Sequence, residues 1–140
     1  VLCGWLSIRA AAQAASQVTG PRGTVTGEPA ATGTAVLRGT VVAADTGAPV
    51  MLYLHGARWD VRSSAHRMRR MHELGFAVLG IDYRGFGQSS AGLPSENLAL
   101  EDALAAWRWL AARHPQAKRY IFGHSLGGAI ATGPDTSATE

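Results

Sequence analysis

The six residues Gly123-His124-Ser125-Leu126-Gly127-Gly128 constrain this chain more than any other stretch. They follow an apolar run, Arg119-Tyr120-Ile121-Phe122, that reads as a buried strand, and they precede Ala129-Ile130-Ala131, which reads as the opening of a helix. Gly123 and Gly127 flank Ser125 at the spacing that a very tight strand-to-helix turn demands. A side chain two residues to either side of such a turn would collide with the neighbouring strand or helix. The turn holds the serine hydroxyl clear of the sheet. It also sets the amide of Leu126 at a helix N-terminus, where backbone N–H groups lack partners and can receive an oxyanion.

Upstream of this turn the pattern alternates. Residues 16–34 are dominated by Gly, Thr, Ala, Pro and Ser and have almost nothing to bury, so with the short apolar start they read as a flexible leader over 1–34. Residues 35–44 hold Val36, Leu37, Val41 and Val42 around Gly39, one or two short strands at a sheet edge. Val50 to Leu54 and Phe76 to Ile81 are continuously apolar, as strands covered on both faces are. Between them Ser63 or Ser64 caps a helix to about Leu74, with Ala65, Met68, Met71 and Leu74 at core spacing and Gly75 as its stop. Ser95 caps a longer helix reaching about His114, with a predicted buried stripe of Leu100, Leu104, Trp107 and Ala111, flanked by Ala103 and Leu110. Trp107 and Trp109 stand about 200° apart on that helix, so only one of them faces the core. The repeated strand-helix-strand order predicts a parallel sheet in an α/β fold.

Three ordered stretches carry a resemblance. Gly123-His124-Ser125-Leu126-Gly127 is similar to the nucleophile elbow of the α/β-hydrolase family. His55-Gly56-Ala57 after the strand at 50–54 resembles its oxyanion-loop motif, and Asp82-Tyr83-Arg84-Gly85-Phe86-Gly87-Gln88-Ser89 resembles the D-x-R-G-x-G-x-S loop of the esterase, lipase and serine-aminopeptidase-like branch. The resemblance implies a three-layer sandwich with a mostly parallel sheet, present over residues 35–131 as the N-terminal half of such a domain and cut after the nucleophile elbow. It implies Ser125 as nucleophile and the amides of Leu126 and Ala57 as oxyanion donors. His55, Gly56, Asp82, Arg84, Gly85, Gly87, Gly123, His124 and Gly127 then support the site: His55 ties loops by hydrogen bonds, the Asp82 carboxylate caps the turn made by Gly85 and Gly87, and Arg84 pairs with Asp82 or a neighbouring loop. On the tight turn, His124 points away from the hydroxyl. Glu96, Glu101 and Asp102 are read as acids complementing the dipole of the long helix.

A serine needs a base to take its proton and a third group to orient that base, and in this family both follow the nucleophile in chain order. His55, His66, His72, His114 and His124 all precede Ser125 or adjoin it, and only Asp135 and Glu140 follow as acids. Residues 132–140, with a Gly133-Pro134 helix breaker, read as a polar tail outside the family pattern. The expectation is a serine hydrolase acting on a small-molecule acyl ester, thioester or amide, nearly inactive as this chain. The alternative is a non-catalytic binding protein on the same fold.

Charge and composition narrow the remaining classes. Thirteen Lys and Arg against ten Asp and Glu give +3, a weak field that argues against a nucleic-acid partner although twelve of the thirteen are arginine. The densest basic patch, Arg58, Arg62, Arg67, Arg69 and Arg70 with His66 and His72, reads as a solvated helix face, with an anionic substrate or a membrane surface as alternatives ranked above nucleic acid. One cysteine, Cys3, forms neither an intrachain disulfide nor a cysteine metal cluster, and no cofactor is expected. No GxGxxG or Walker pattern supports a nucleotide binder. Residues 1–15 resemble a signal peptide poorly, since Arg9 interrupts the apolar part, so a cytoplasmic location is favoured over export and no membrane span is expected.

Overall fold

Continuous apolar runs form the centre of the sheet. In the computed structural model, which describes residues 3–10, 35–42, 47–58 and 60–133, the strands Val50–Leu54 (β3) and Ala77–Asp82 (β4) pair in parallel, Leu52 opposite Leu79. Arg119–Gly123 (β5) pairs in parallel with the other side of β3, Leu54 opposite Gly123. All five residues of β3 are buried, as the absence of polar alternation requires.

Alternation along these strands divides the core in two. Val50, Leu52 and Leu54 of β3 join Leu79 and Ile81 of β4 on one face, beneath the helices Glu96–Arg113 (α2) and Leu126–Ala131 (α3). Met51 and Tyr53 join Val78 on the opposite face, against Val61 and against Met68 of the helix Ala65–Glu73 (α1). The result is the expected three-layer α/β sandwich, with a mixed rather than purely parallel sheet. Ala35–Val42 (β2) pairs antiparallel with β4, and Cys3–Ala10 (β1) pairs antiparallel with β2, giving the order β1-β2-β4-β3-β5. Among the described residues β2 is therefore an interior strand and not an edge. The expected leader is strand over Cys3–Ala10, where it satisfies the backbone groups that β2 would otherwise leave open. The rest of the leader, and residues 134–140 of the expected tail, lie outside the described residues.

The helices begin and end close to where capping chemistry puts them, with two shifts of face. Ser95 Oγ accepts the Leu98 N–H at 3.2 Å and opens α2. The other helix is preceded by a 3₁₀ turn, Val61–Ser64, which Asp60 caps by accepting the Ser63 N–H at 3.2 Å; Ser64 makes no capping bond with its hydroxyl. A short helix after a 3₁₀ turn leaves Leu74 63% exposed and Ala65 at the surface, so Met68 alone is fully buried on α1. On α2 the buried stripe is Ala99, Asp102, Ala103, Ala106, Trp107 and Leu110, one residue round from the larger leucines. Small side chains bring this helix close to the sheet, while Leu100 and Leu104 lie at the margin. Trp107 is core, and Trp109 is half-buried with the Arg113 guanidinium 5.8 Å from its ring centre.

Candidate active site

The turn after β5 has the strained geometry that its glycines imply. Ser125 has φ 55° and ψ −119° and is the one non-glycine described residue at positive φ. A conformation of this kind costs an L-residue on the order of 1–3 kcal/mol. The surrounding bonds hold it there: the His124 N–H donates to Leu54 O at 3.0 Å, the Gly127 N–H to His124 O at 3.0 Å and the Gly128 N–H to Ser125 O at 2.8 Å. A Cβ on Gly127 would strike the Leu54 carbonyl, and one on Gly123 would strike the carbonyl of Gly127. Strand, turn and helix thus touch backbone to backbone. The side chain of Ser125 is exposed at the end of the sheet.

One loop runs beside this serine. A Cβ on Gly56 would lie 3.2 Å from Ser125 Cβ and 3.4 Å from His124 Nδ1, so the His55-Gly56-Ala57 segment runs directly beside the turn. Ala57 lines two cavities. One, of about 430 Å³, also has Gly56, Arg58, Arg67, His124 and Ser125 in its wall. The other, of about 220 Å³, is walled mainly by Tyr83, Phe86, Pro94, Ala99 and Leu126. His124 lines the same cavity as Ser125, its Nδ1 against Gly56, and no hydrogen bond joins its ring to the Ser125 hydroxyl among the described residues. Neither the Leu126 amide nor the Ala57 amide is hydrogen-bonded among the described residues, and none of them engages Ser125 Oγ.

Behind the site, buried polar groups fix the loops. His55 is 1% exposed, packed between Tyr83 and Phe86 at ring-centre distances of 4.6 and 5.4 Å. Its Nδ1 bonds its neighbour's carbonyl, Gly56 O, at 2.7 Å, and Nε2 stands 3.6 Å from Asp82 Oδ1. Burial holds the His55 pKa below its ordinary 6.5, against the pull of the Gly56 carbonyl and of Asp82. The tie between loops that was expected of its ring is made instead by the Tyr83 hydroxyl, which donates to His55 O at 3.2 Å.

Asp82 and Arg84 differ from expectation in their partners. Asp82 Oδ1 accepts the Val61 N–H at 2.6 Å, so the carboxylate anchors the 3₁₀ turn more firmly than its own loop, where Gln88 N–H stands at 3.5 Å. A Cβ on Gly87, which has φ 51°, would strike that carboxylate. Gly85 also lies at positive φ, 85°. Burial raises the Asp82 pKa against these donors. Arg84 pairs with neither Asp82 nor a neighbouring loop but with helix α2: Nε donates to Asp102 Oδ1 at 2.7 Å, Nη2 to Glu101 Oε2 at 2.6 Å, and its main-chain N–H to Asp102 Oδ2 at 2.7 Å. Burial works against the guanidinium charge, but the Glu101 and Asp102 acceptors outweigh it and raise its pKa. Burial also pushes the Asp102 carboxyl up, against the donors of Arg84. Glu101 and Asp102 are thus loop anchors in the second turn of α2, whereas Glu96 alone stands in the first turn as a dipole partner. The visible signal for Asp102 was an acid inside a stripe of alanines. No helix among the described residues is long and apolar enough to cross a membrane, and none of their His, Cys, Asp and Glu side chains cluster to hold a metal ion.

A sheet with parallel strands at its centre, helices on both faces and a serine at positive φ on the strand-to-helix turn define an α/β hydrolase. Residues 47–133 match the family described as serine aminopeptidase S33, and the chain belongs to that family. It is 40% identical over 89 residues to the human protein ABHD12B, covering 61% of this chain and 24% of that one. To the lysophosphatidylserine lipase ABHD12 of Xenopus tropicalis it is 42% identical over 90 residues, 62% of this chain and 23% of the relative. The matched segment spans about a quarter of the length of these relatives. Among solved structures, the esterase Pf2001 of Pyrococcus furiosus superposes with a TM-score of 0.59 and 27% identity over 70% of this chain and 40% of its own. Est1E of Butyrivibrio proteoclasticus, solved with ferulic acid bound, shares the fold at a TM-score of 0.61 and 22% identity, over 69% and 41%.

Proposed function

We propose that this chain carries the nucleophile and oxyanion donors of a serine hydrolase acting on carboxylic esters, with thioesters and amides as chemically related substrates. Ser125 Oγ adds to the acyl carbon, the amides of Leu126 and Ala57 receive the oxygen as it becomes negative, and the serine's proton passes to the departing oxygen, which leaves as the alcohol; water then hydrolyses the acyl-serine to the acid and the free serine. Each such donor is worth about 3 kcal/mol of transition-state stabilisation. The observation that carries the reading is the strained Ser125 held beside a Leu126 amide with no partner among the described residues. The name lysophosphatidylserine lipase, borne by several relatives, makes a lysophospholipid ester the first substrate to try. A fluorophosphonate probe on the protein as its own gene expresses it tests the proposal. Labelling that disappears in Ser125→Ala is expected, and undiminished labelling of that variant would sink it.

One observation favours a second reading, a binding protein on the same fold. Among the described residues no base is hydrogen-bonded to Ser125 Oγ. Loss of the base costs a serine enzyme about 10⁶ in kcat, so turnover of p-nitrophenyl acetate by the 140-residue polypeptide is expected to be marginal and to change little in Ser125→Ala. A high rate that falls on that substitution would refute this.

A further inference from the structure

Resting on Ser125 as the reacting group, we propose that the site takes an anionic acyl ester, with Arg58 and Arg67 binding an oxyanion on the alcohol portion while the acyl portion enters the apolar cavity beside Phe86. The two cavities that share Ala57 in their walls differ in chemistry. The smaller is walled by Tyr83, Phe86, Pro94, Ala99 and Leu126, and its one guanidinium, that of Arg84, is already held by Asp102 and Glu101. Its other charged lining residue, Glu96, is solvent-exposed. An acyl chain gains by leaving water there, at about 25 cal/mol per Å² of apolar surface.

The larger cavity holds Ser125 itself and is cationic. Arg58 and Arg67 line it, no Asp or Glu does, and neither arginine has an ion-pair partner among the described residues. The nearest acid on that loop, Asp60, is engaged by Ser63, accepting its N–H at 3.2 Å and, through the main-chain oxygen, its hydroxyl at 2.7 Å. Ser64, 4% exposed and not used as a helix cap, adds a hydroxyl to the same wall. Two planar guanidinium forks beside a hydroxyl suit a phosphate or carboxylate oxyanion, which each fork can engage through two N–H donors. The cavity's 430 Å³ accommodates a charged glycerol-sized group, and because Ser125 lines this cavity while Ala57 lines both, the order of the substrate follows: acyl chain in the apolar cavity, scissile carbonyl at Ser125, anionic alcohol beside the arginines.

Binding is measured by titration calorimetry on the protein as its own gene expresses it, using ethers that cannot be cleaved: 1-O-hexylglycerol, its 3-phosphate, and the O-hexyl ether of glyceric acid. Removing charged hydrogen bonds of this kind costs about tenfold or more in affinity. The phosphate or the carboxylate ether is expected to bind more tightly than the neutral one, a preference that shrinks as salt rises and collapses in Arg58→Gln/Arg67→Gln. The tighter of the two anions identifies the oxyanion. Equal binding of neutral and anionic ethers by the wild-type protein, or a preference unchanged in the double variant, would overturn the proposal. The salt dependence of the wild type answers the question even if the variant folds poorly. Failure of the nucleophile reading is seen separately, as fluorophosphonate labelling that persists in Ser125→Ala while the preference for anions remains.

Discussion

Arg84 and Asp102 lock the loop after β4 to helix α2 twice over, once through Nε to Oδ1 and once through the main-chain N–H to Oδ2, both at 2.7 Å. Asp102 has no exposed surface, and Arg84 is 11% exposed. Removing one partner of a buried pair leaves the other uncompensated, at a cost of about 3–5 kcal/mol. Asp102→Ala is therefore expected to lower the unfolding free energy by about 3 kcal/mol, and Asp102→Asn by less, because its amide oxygen still accepts from Arg84. Urea denaturation measures both, and a loss below about 1 kcal/mol for Asp102→Ala would mean the pair behaves as a surface one.

The parts of the fold legible in the sequence are those fixed by local rules. Ser95 as a cap, the apolar strands at 50–54 and 77–82 and the turn at Ser125 are each decided by neighbours in the chain. The parts that were not legible depend on what lies across the fold. Leu100 and Leu104 looked like the core of α2, but the helix seats Ala99, Ala103 and Ala106 against the sheet because small residues permit close approach. Arg84 reaches α2 because that helix presents Asp102 inward, a fact of helix rotation that spacing alone leaves open. Cys3–Ala10 lacks a strong period-two pattern and becomes a strand beside β2. Arg58 and Arg67 read as part of a solvated basic face, and only the fold brings them into one cavity with Ser125.

Gly127→Ala is expected to destabilise the protein out of proportion to one methyl group. Its Cβ would meet the Leu54 carbonyl, backbone that cannot swing aside as a side chain does. Overpacking typically costs about 1–3 kcal/mol, and here it would also push the turn away from the His55-Gly56-Ala57 loop. Denaturation midpoints for Gly127→Ala and Gly128→Ala make the comparison direct. At Gly128 the nearest atom to an added Cβ is 3.7 Å away, so that variant should be nearly neutral in stability.

His55 couples stability to pH in the acid range. Its folded pKa is lowered, chiefly by burial, from an ordinary 6.5. The unfolded chain therefore binds a proton that the native state refuses, and this contribution to stability is full above 6.5 and is lost as the pH falls toward the folded value. Asp82 acts in the opposite sense: burial raises its pKa from 3.8, so the native state holds its proton more tightly and stability from this group declines as pH rises from 3.8 through the raised value. An NMR titration of the His55 ring resolves the two. A midpoint below 6.5 is expected, and a midpoint at or above it would show that Asp82, at 3.6 Å, outweighs desolvation.

Ser125 should be a position where the residue that the proposed chemistry needs is not the residue that stability prefers. At φ 55° and ψ −119° the backbone suits glycine, and an L-side chain there carries strain on the order of 1–3 kcal/mol. Ser125→Gly relieves that strain but loosens the unfolded chain, which offsets about 0.4–1 kcal/mol of the gain. Ser125→Ala keeps the strain and removes only an exposed hydroxyl that no described residue engages. The net expectation is that Ser125→Gly is more stable than Ser125→Ala by about 1 kcal/mol, with both variants unreactive toward a fluorophosphonate. Urea midpoints measured side by side decide it. Equal stabilities, or a more stable alanine variant, would show that the turn relaxes without its native side chain and that its strain is not imposed by the contacts at Gly123 and Gly127.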